Sequence, residues 1–286
     1  MLQVLLNGVA TGSIYALVAL GFVIVYRATG VLNFAHGELM MIGAYLALLF
    51  AVELDVPYVA AVVIALAGAA VLAWLIQRVL LRRLVDEDVF SIVLVTLGLS
   101  LVLRSVVALV FGVRERALPP PVDTYVDIGP VDIWSVHLLA IGVAIVVFLA
   151  TGAFFERSRY GLAMRAMADD QAVARLMGIS AFTVFGISWL FAGGLAAVTG
   201  VLAGHTVFVS NNLGFIALRA LPAAVIGGLD SVRGALVGGL VLGVAEQLSV
   251  NYVGGDTREL AAFGALLLVL IVRPYGLFGT PEIKRV

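Results

Sequence analysis

Residues able to do chemistry are few in this chain, and their spacing excludes most enzymatic uses. Only 12% of the 286 residues are charged, and the three histidines, His36, His137 and His205, are widely separated. They lack the HExxH spacing that places two imidazoles on one helix face around zinc, so no metal site is expected. The one lysine, Lys284, lies in the tail. A P-loop needs a Gly-Lys pair to hold phosphates between backbone amides and an ammonium, so no ATP-hydrolysing site of that kind is expected. Gly254-Gly255-Asp256 has the wrong spacing for a membrane aspartyl protease and no second intramembrane aspartate to share a proton; it reads as a loop. Zero cysteines exclude disulfides and thiolate ligands. Neither catalytic residues nor a bound cofactor are expected.

Two carboxylates stand out by their setting. Asn33-Phe34-Ala35-His36-Gly37-Glu38 opens an apolar stretch that continues as LMMIGAYLALLFAV. A carboxylate there is costly unless paired, protonated or wet. Glu38, with Asn33 and His36, therefore reads either as lining of a substrate pathway or as a helix cap at the membrane boundary, where an acid is favourable by about 0.3–1 kcal/mol. Glu246 lies midway along LVGGLVLGVAEQLSVNYVGG. Inserting an acid there costs about 2.5–3.5 kcal/mol, so it faces a pore or anchors a neighbouring helix. Arg104 and Arg219 are weaker candidates, because a long arginine snorkels to the surface. Asn7, Thr11, Ser13 and Tyr15 in the first apolar stretch can serve a zwitterion's charged ends or join helices.

The elements that must hold these residues are membrane helices. Hydrophobic residues make up 63% of the chain and mean hydropathy is +1.14, more apolar than a soluble core of this size requires. Nine stretches (3–26, 34–52, 56–77, 89–113, 133–155, 181–204, 213–229, 234–245 with its continuation, and 260–272) supply apolar segments, most of them long enough for about 30 Å of hydrocarbon as helix. If alternate loops share a side, one side holds twelve basic residues, from Arg27 through the Arg78–Arg83 and Arg157–Arg175 groups to Lys284 and Arg285; the other holds Arg114, Arg116 and Arg258. The positive-inside rule then predicts an external N-terminus and a cytoplasmic C-terminus, which nine crossings satisfy. No basic n-region precedes the first apolar run, so it reads as a retained helix rather than a cleaved signal.

Residues 156–178, ERSRYGLAMRAMADDQAVARLMG, form a charged island among these stretches. Asp169 or Asp170 can cap a short helix over Ala172–Met177, and Gly178 fits the left-handed position that ends it. Val173, Leu176 and Met177 fall at helical spacing, making a compact amphipathic plug for a partner or for lipid headgroups. Close helix approach is predicted at two consecutive GxxxG pairs, Gly234/Gly238 and Gly239/Gly243, and at a small-residue face around Gly193–Gly200. Residues 224–239, AVIGGLDSVRGALVGG, read as a tight turn between two crossings.

Three segments together, residues 7–45 with the NFAHGE string, 159–180, and 221–248 with GGLDSVRGALVGG, resemble the LivH-type permease subunit of branched-chain amino acid ABC importers. The match spans nearly the whole chain. It implies one transmembrane permease domain over 1–286, and with the nine stretches an all-α polytopic bundle of about 8 to 9 transmembrane helices in the cytoplasmic membrane of a prokaryote. The implied partners are a second, LivM-like permease, two cytoplasmic ATP-binding subunits that use the ATP, an extracytoplasmic solute-binding protein and the lipid bilayer; no nucleic acid is expected. Residues 156–180 take the place of the family's coupling loop, which carries Gly161, Arg165, Asp169, Asp170, Arg175, Leu176 and Gly178. Urea or short amides stay open as cargo. The rival reading is a self-sufficient ion-coupled transporter that uses Glu38 and Glu246 as proton or cation sites.

Overall fold

A long uncharged segment leaves water only as a helix, because hydrocarbon offers its backbone groups no partners. The computed structural model describes residues 1–84, 87–128 and 131–280, and each of the nine apolar stretches is helical in it. In chain order these are α1 (Leu2–Thr29), α2 (His36–Leu48), α3 (Tyr58–Val79), α4 (Val89–Phe111), α5 (Ser135–Arg157), α8 (Ala181–Thr206), α9 (Phe215–Gly227), α10 (Val232–Tyr252) and α11 (Arg258–Val272), with α6 (Arg159–Asp169) and α7 (Gln171–Leu176) between α5 and α8. Among the described residues seven helices are long and apolar enough to cross a membrane, α2 through a π-helical extension over Leu49–Glu53. α9 and α11, with 13 and 15 residues, are shorter. The basic tail residues Lys284 and Arg285 lie outside the described segment.

α1 is apolar all round and is buried without interruption from Gly12 to Val25, which makes it the central element. It packs chiefly on α10 and α8, with α5 and α9 completing its surround. The α1–α10–α9 contacts follow from the glycines. A Cβ on Gly239 or Gly243 would collide with the α1 backbone at Ala16 or Gly12, and one on Gly234 or Gly238 would collide with the α9 carbonyls of Gly227 or Ala223. One GxxxG pair therefore faces each neighbour, and the backbones approach where lipid supplies no hydrophobic drive between helices. α8 does the same, with Gly193 against Ala69 and Ala73 of α3 and Gly200 against Met40 of α2. α3 buries one strip, Ala61, Ala65, Ala69, Ala73 and Gln77 at a spacing of four, while Val59, Val63, Val71 and Leu75 point outward.

The α4 start is set by Asp88, whose carboxylate accepts from the Ser91 amide at 3.2 Å and the Ser91 hydroxyl at 2.6 Å. The hydroxyl, ahead of the amide, holds this exposed carboxyl below its ordinary pKa. One element departs from an all-α reading. Tyr125–Ile128 (β1) and Val131–Trp134 (β2) form an antiparallel hairpin with Tyr125 opposite Trp134, so the stretch read as helical from 133 begins as strand. Each segment sets one Asp among β-branched and aromatic residues, a composition that suits a strand with a polar edge.

Candidate functional site

The NFAHGE string turns back into the helix bundle. His36 and Glu38 are 0% and 3% exposed, inside the bundle. After Gly30 ends α1 in the left-handed conformation (φ 73°), the chain turns back. His36 comes to rest over Gly21, eight residues or about 12 Å before the end of α1. Backbone hydrogen bonds hold the returning loop: Ala35 N–H to Asn33 Oδ1 at 3.0 Å and His36 N–H to the Asn33 carbonyl at 3.2 Å. The His36 ring lies 4.9 Å from the Phe22 ring, tilted at 51°, and neither of its nitrogens has a hydrogen-bond partner among the described residues.

A second short helix meets this one head to head. From the opposite end, Val209 pairs with Arg116 through two backbone bonds of 2.8 and 3.0 Å, and five residues later the chain reaches Gly214 and starts α9. A Cβ on Gly37 would collide with the Gly214 carbonyl, and one on Gly214 would stand 3.1 Å from the Gly37 backbone and 3.3 Å from Glu38 Oε1. The N-termini of α2 and α9 thus abut within the bundle, and both direct positive dipole ends toward the Glu38 carboxylate. Arg104 completes the junction. Its Nη2 donates to Glu38 Oε1 at 2.6 Å, and its guanidinium carbon lies 4.1 Å from the centre of the Phe215 ring. Arg104 is thus turned inward rather than snorkelling.

The other pathway candidates are dispersed. Asn33 caps its own loop and lines a small cavity of about 40 Å³ with Gln77, Thr96 and Trp189; Asn33 Nδ2 and Gln77 Nε2 lack partners among the described residues. Ser13 donates to the Val9 carbonyl of its own helix at 2.8 Å, and Asn7 is half-buried near the α1 start. Glu246, 3% exposed, accepts from Tyr15 at 2.9 Å within the α1–α10 contact, the geometry of a helix anchor.

At one end of the bundle, α6 and α7 project as a jointed pair. The Ser158 hydroxyl caps α6 by accepting from Gly161 N–H at 2.8 Å, and a Cβ on Gly161 would collide with the Phe154 carbonyl, so glycine allows the sharp bend out of α5. Of the two aspartates, Asp170 caps α7, accepting from Ala172 and Val173 N–H at 2.9 and 3.0 Å. Asp169 ends α6. Gly178 follows with φ 83°. Arg165 is half-buried on α6, whereas Leu176 and Met177 at the α7 tip are 87% and 79% exposed and Val173 is 54% exposed.

The profile of the family described as "Branched-chain amino acid transport system / permease component" matches residues 4–272. The chain belongs to this family. It is 38% identical to the high-affinity branched-chain amino acid transport system permease protein LivH of Escherichia coli (strain K12), over 100% of this chain and 97% of that one. To the corresponding permease protein BraD of Pseudomonas aeruginosa it is 37% identical, over 100% and 98%. Among solved structures, PsaBC from Streptococcus pneumoniae in complex with Fab matches with a TM-score of 0.50 and 16% identity, over 95% of this chain and 92% of that one, a likeness of fold. The chain is a membrane-embedded permease of LivH type.

Within this permease, sequence reasoning underrated Arg104 and did not weigh Gly214 or Phe215. A lone arginine inside an apolar stretch was a visible signal. Its partner Glu38, 66 residues away, was not.

Proposed function

We propose that this chain is one of two membrane-spanning subunits of an ATP-binding cassette importer that moves branched-chain amino acids inward across the cytoplasmic membrane of a prokaryote. The cargo class follows from its full-length LivH and BraD relatives, whose names carry it. A LivM-like permease is the second membrane subunit, two cytoplasmic ATP-binding subunits hydrolyse the ATP, and an extracytoplasmic binding protein delivers the cargo. The N-terminus is external and the C-terminus cytoplasmic, because the loops rich in arginine then lie inside.

The observation that carries this reading is the α7 tip. A six-residue helix fixed at both ends by Asp170 and Gly178 holds Leu176 and Met177 almost fully in solvent, an apolar plug without a socket among the described residues. A rigid, capped tip transmits the closure of an ATPase dimer to α5 and α8, between which it is jointed, and so alternates access to the pathway. The ion-coupled alternative gains little from the two carboxylates, since Glu38 is paired with Arg104 and Glu246 is bonded to Tyr15.

Affinity purification of the chain from its native membrane, with mass spectrometry of what remains bound, tests the reading. Recovery of a second permease and two ATP-binding subunits is expected. The chain alone, transporting by itself after reconstitution, would overturn it.

A further inference from the structure

We propose that the Glu38–Arg104 pair is the binding site for the charged ends of an α-amino acid, with the substrate carboxylate taken by the Arg104 guanidinium and the substrate ammonium by the Glu38 carboxylate. The inference rests on the permease reading above and adds the residues that meet the cargo. It also gives a reason why the cargo is a zwitterion rather than urea or a neutral amide.

Exposure and depth come first. Arg104 lies sixteen residues into the 23-residue α4, and its side chain is 24% exposed while that of Glu38 is 4% exposed. A partly exposed arginine at that depth is costly against hydrocarbon, so the open side of Arg104 borders water or a partner subunit. Arg104 thus forms the more open side of the pair and Glu38 the buried side.

Unused bonding capacity comes second. Arg104 gives Nη2 to Glu38, while its Nε is buried without a partner among the described residues. A carboxylate satisfies such a fork through two parallel N–H bonds, an arrangement a single contact to Glu38 leaves incomplete. The N-termini of α2 and α9, abutting at Gly37 and Gly214, add positive field on the side where a carboxylate arrives. Phe215, stacked under the guanidinium and 42% exposed, offers an apolar face to an aliphatic side chain.

Charge balance selects the ligand. The closed pair is neutral. A zwitterion that inserts exchanges one ion pair for two and leaves no charge uncompensated. A ligand with a single charge opens the pair and strands either Glu38 or Arg104, which is strongly unfavourable in a site this buried. Urea and neutral amides bring no charge with which to open it.

The test uses the assembled complex with its binding protein in proteoliposomes, with labelled leucine as substrate and two probes that each carry one charge, 4-methylpentanoate and 3-methylbutylamine. Co-purification of the subunits is scored first for every variant. In the wild type neither probe competes through the permease. Glu38→Gln is expected to make 4-methylpentanoate a competitor, and Arg104→Gln to do so for 3-methylbutylamine, each by about tenfold in inhibitory concentration. The neutral pair E38Q/R104Q, free of stranded charge, is expected to assemble yet raise KM for leucine about tenfold or more. Arg104→Lys keeps the charge without the fork, assembles, and raises KM less. Because the binding protein is the same throughout, a change in probe selectivity belongs to the permease. An assembled E38Q/R104Q or Arg104→Lys complex with wild-type KM, or probes that stay inert in both single variants, would overturn the proposal. Failure of the wild-type complex to move leucine would instead count against the permease reading.

Discussion

Tyr15 donates a 2.9 Å hydrogen bond to Glu246 across 231 residues of chain, tying the centre of α1 to α10 beside the Gly12–Gly243 contact. Removing the donor leaves a buried carboxylate with less compensation, so Tyr15→Phe is expected to destabilise by about 1–3 kcal/mol. Glu246→Gln keeps an acceptor for the phenol and costs less, about 0.5–1.5 kcal/mol. Thermal melting of the purified complex gives the order. Uptake per folded complex stays near wild type in both variants; a Glu246→Gln complex that melts normally but fails to transport would move Glu246 from anchor to pathway.

Close packing at the α1–α10 seam makes a graded prediction. A methyl group at Gly243 meets the Gly12 backbone, whereas one at Gly264 of α11 meets nothing within 4 Å. Gly243→Ala is expected to cost about 1–3 kcal/mol by overpacking, and Gly264→Ala nothing measurable. The folded fraction on size-exclusion chromatography separates the two. Equal behaviour would mean the seam is looser than described.

The α7 tip can be altered without touching the bundle. Leu176 is 87% exposed, so Leu176→Asp leaves insertion and melting unchanged while placing a charge in the docking face. Recovery of ATP-binding subunits on co-purification is expected to fall by about tenfold or more, as for a central contact residue. Asp170→Ala removes the α7 cap at a local cost of about 0.5–2 kcal/mol and is expected to weaken coupling more mildly. Full recovery of the ATP-binding subunits with Leu176→Asp would remove α7 from the docking surface.

His36 offers the opposite sign. Its two ring nitrogens are buried and lack partners among the described residues, so replacing the imidazole by an apolar group of similar size removes a desolvation cost. His36→Met is expected to melt at or above the wild-type temperature. A fall worth more than about 2 kcal/mol would instead show that the imidazole makes a polar contact of its own, with water or cargo.

The sequence by itself determined what depends on neighbours a few residues apart. Uncharged length made the helices, because backbone groups in hydrocarbon must bond locally. Asp169 or Asp170 and Gly178 bounded α7, because a side-chain oxygen and a left-handed glycine complete a helix end within three residues; the structure chose Asp170. The GxxxG pairs of α10 announced close approach, though not that Gly234 and Gly238 meet α9 while Gly239 and Gly243 meet α1. Only the tertiary structure decided the rest. NFAHGE read equally as pathway lining or as a cap at the membrane boundary, because hydropathy is a one-dimensional average, and a loop that turns back into the bundle gives the same average as one that stays outside. The meeting of α2 and α9 at Gly37 and Gly214, and the capture of Arg104 by Glu38, join segments 177 and 66 residues apart. Such pairs are chosen by the cost of leaving a buried charge alone, a cost that exists only once the helices around it have assembled.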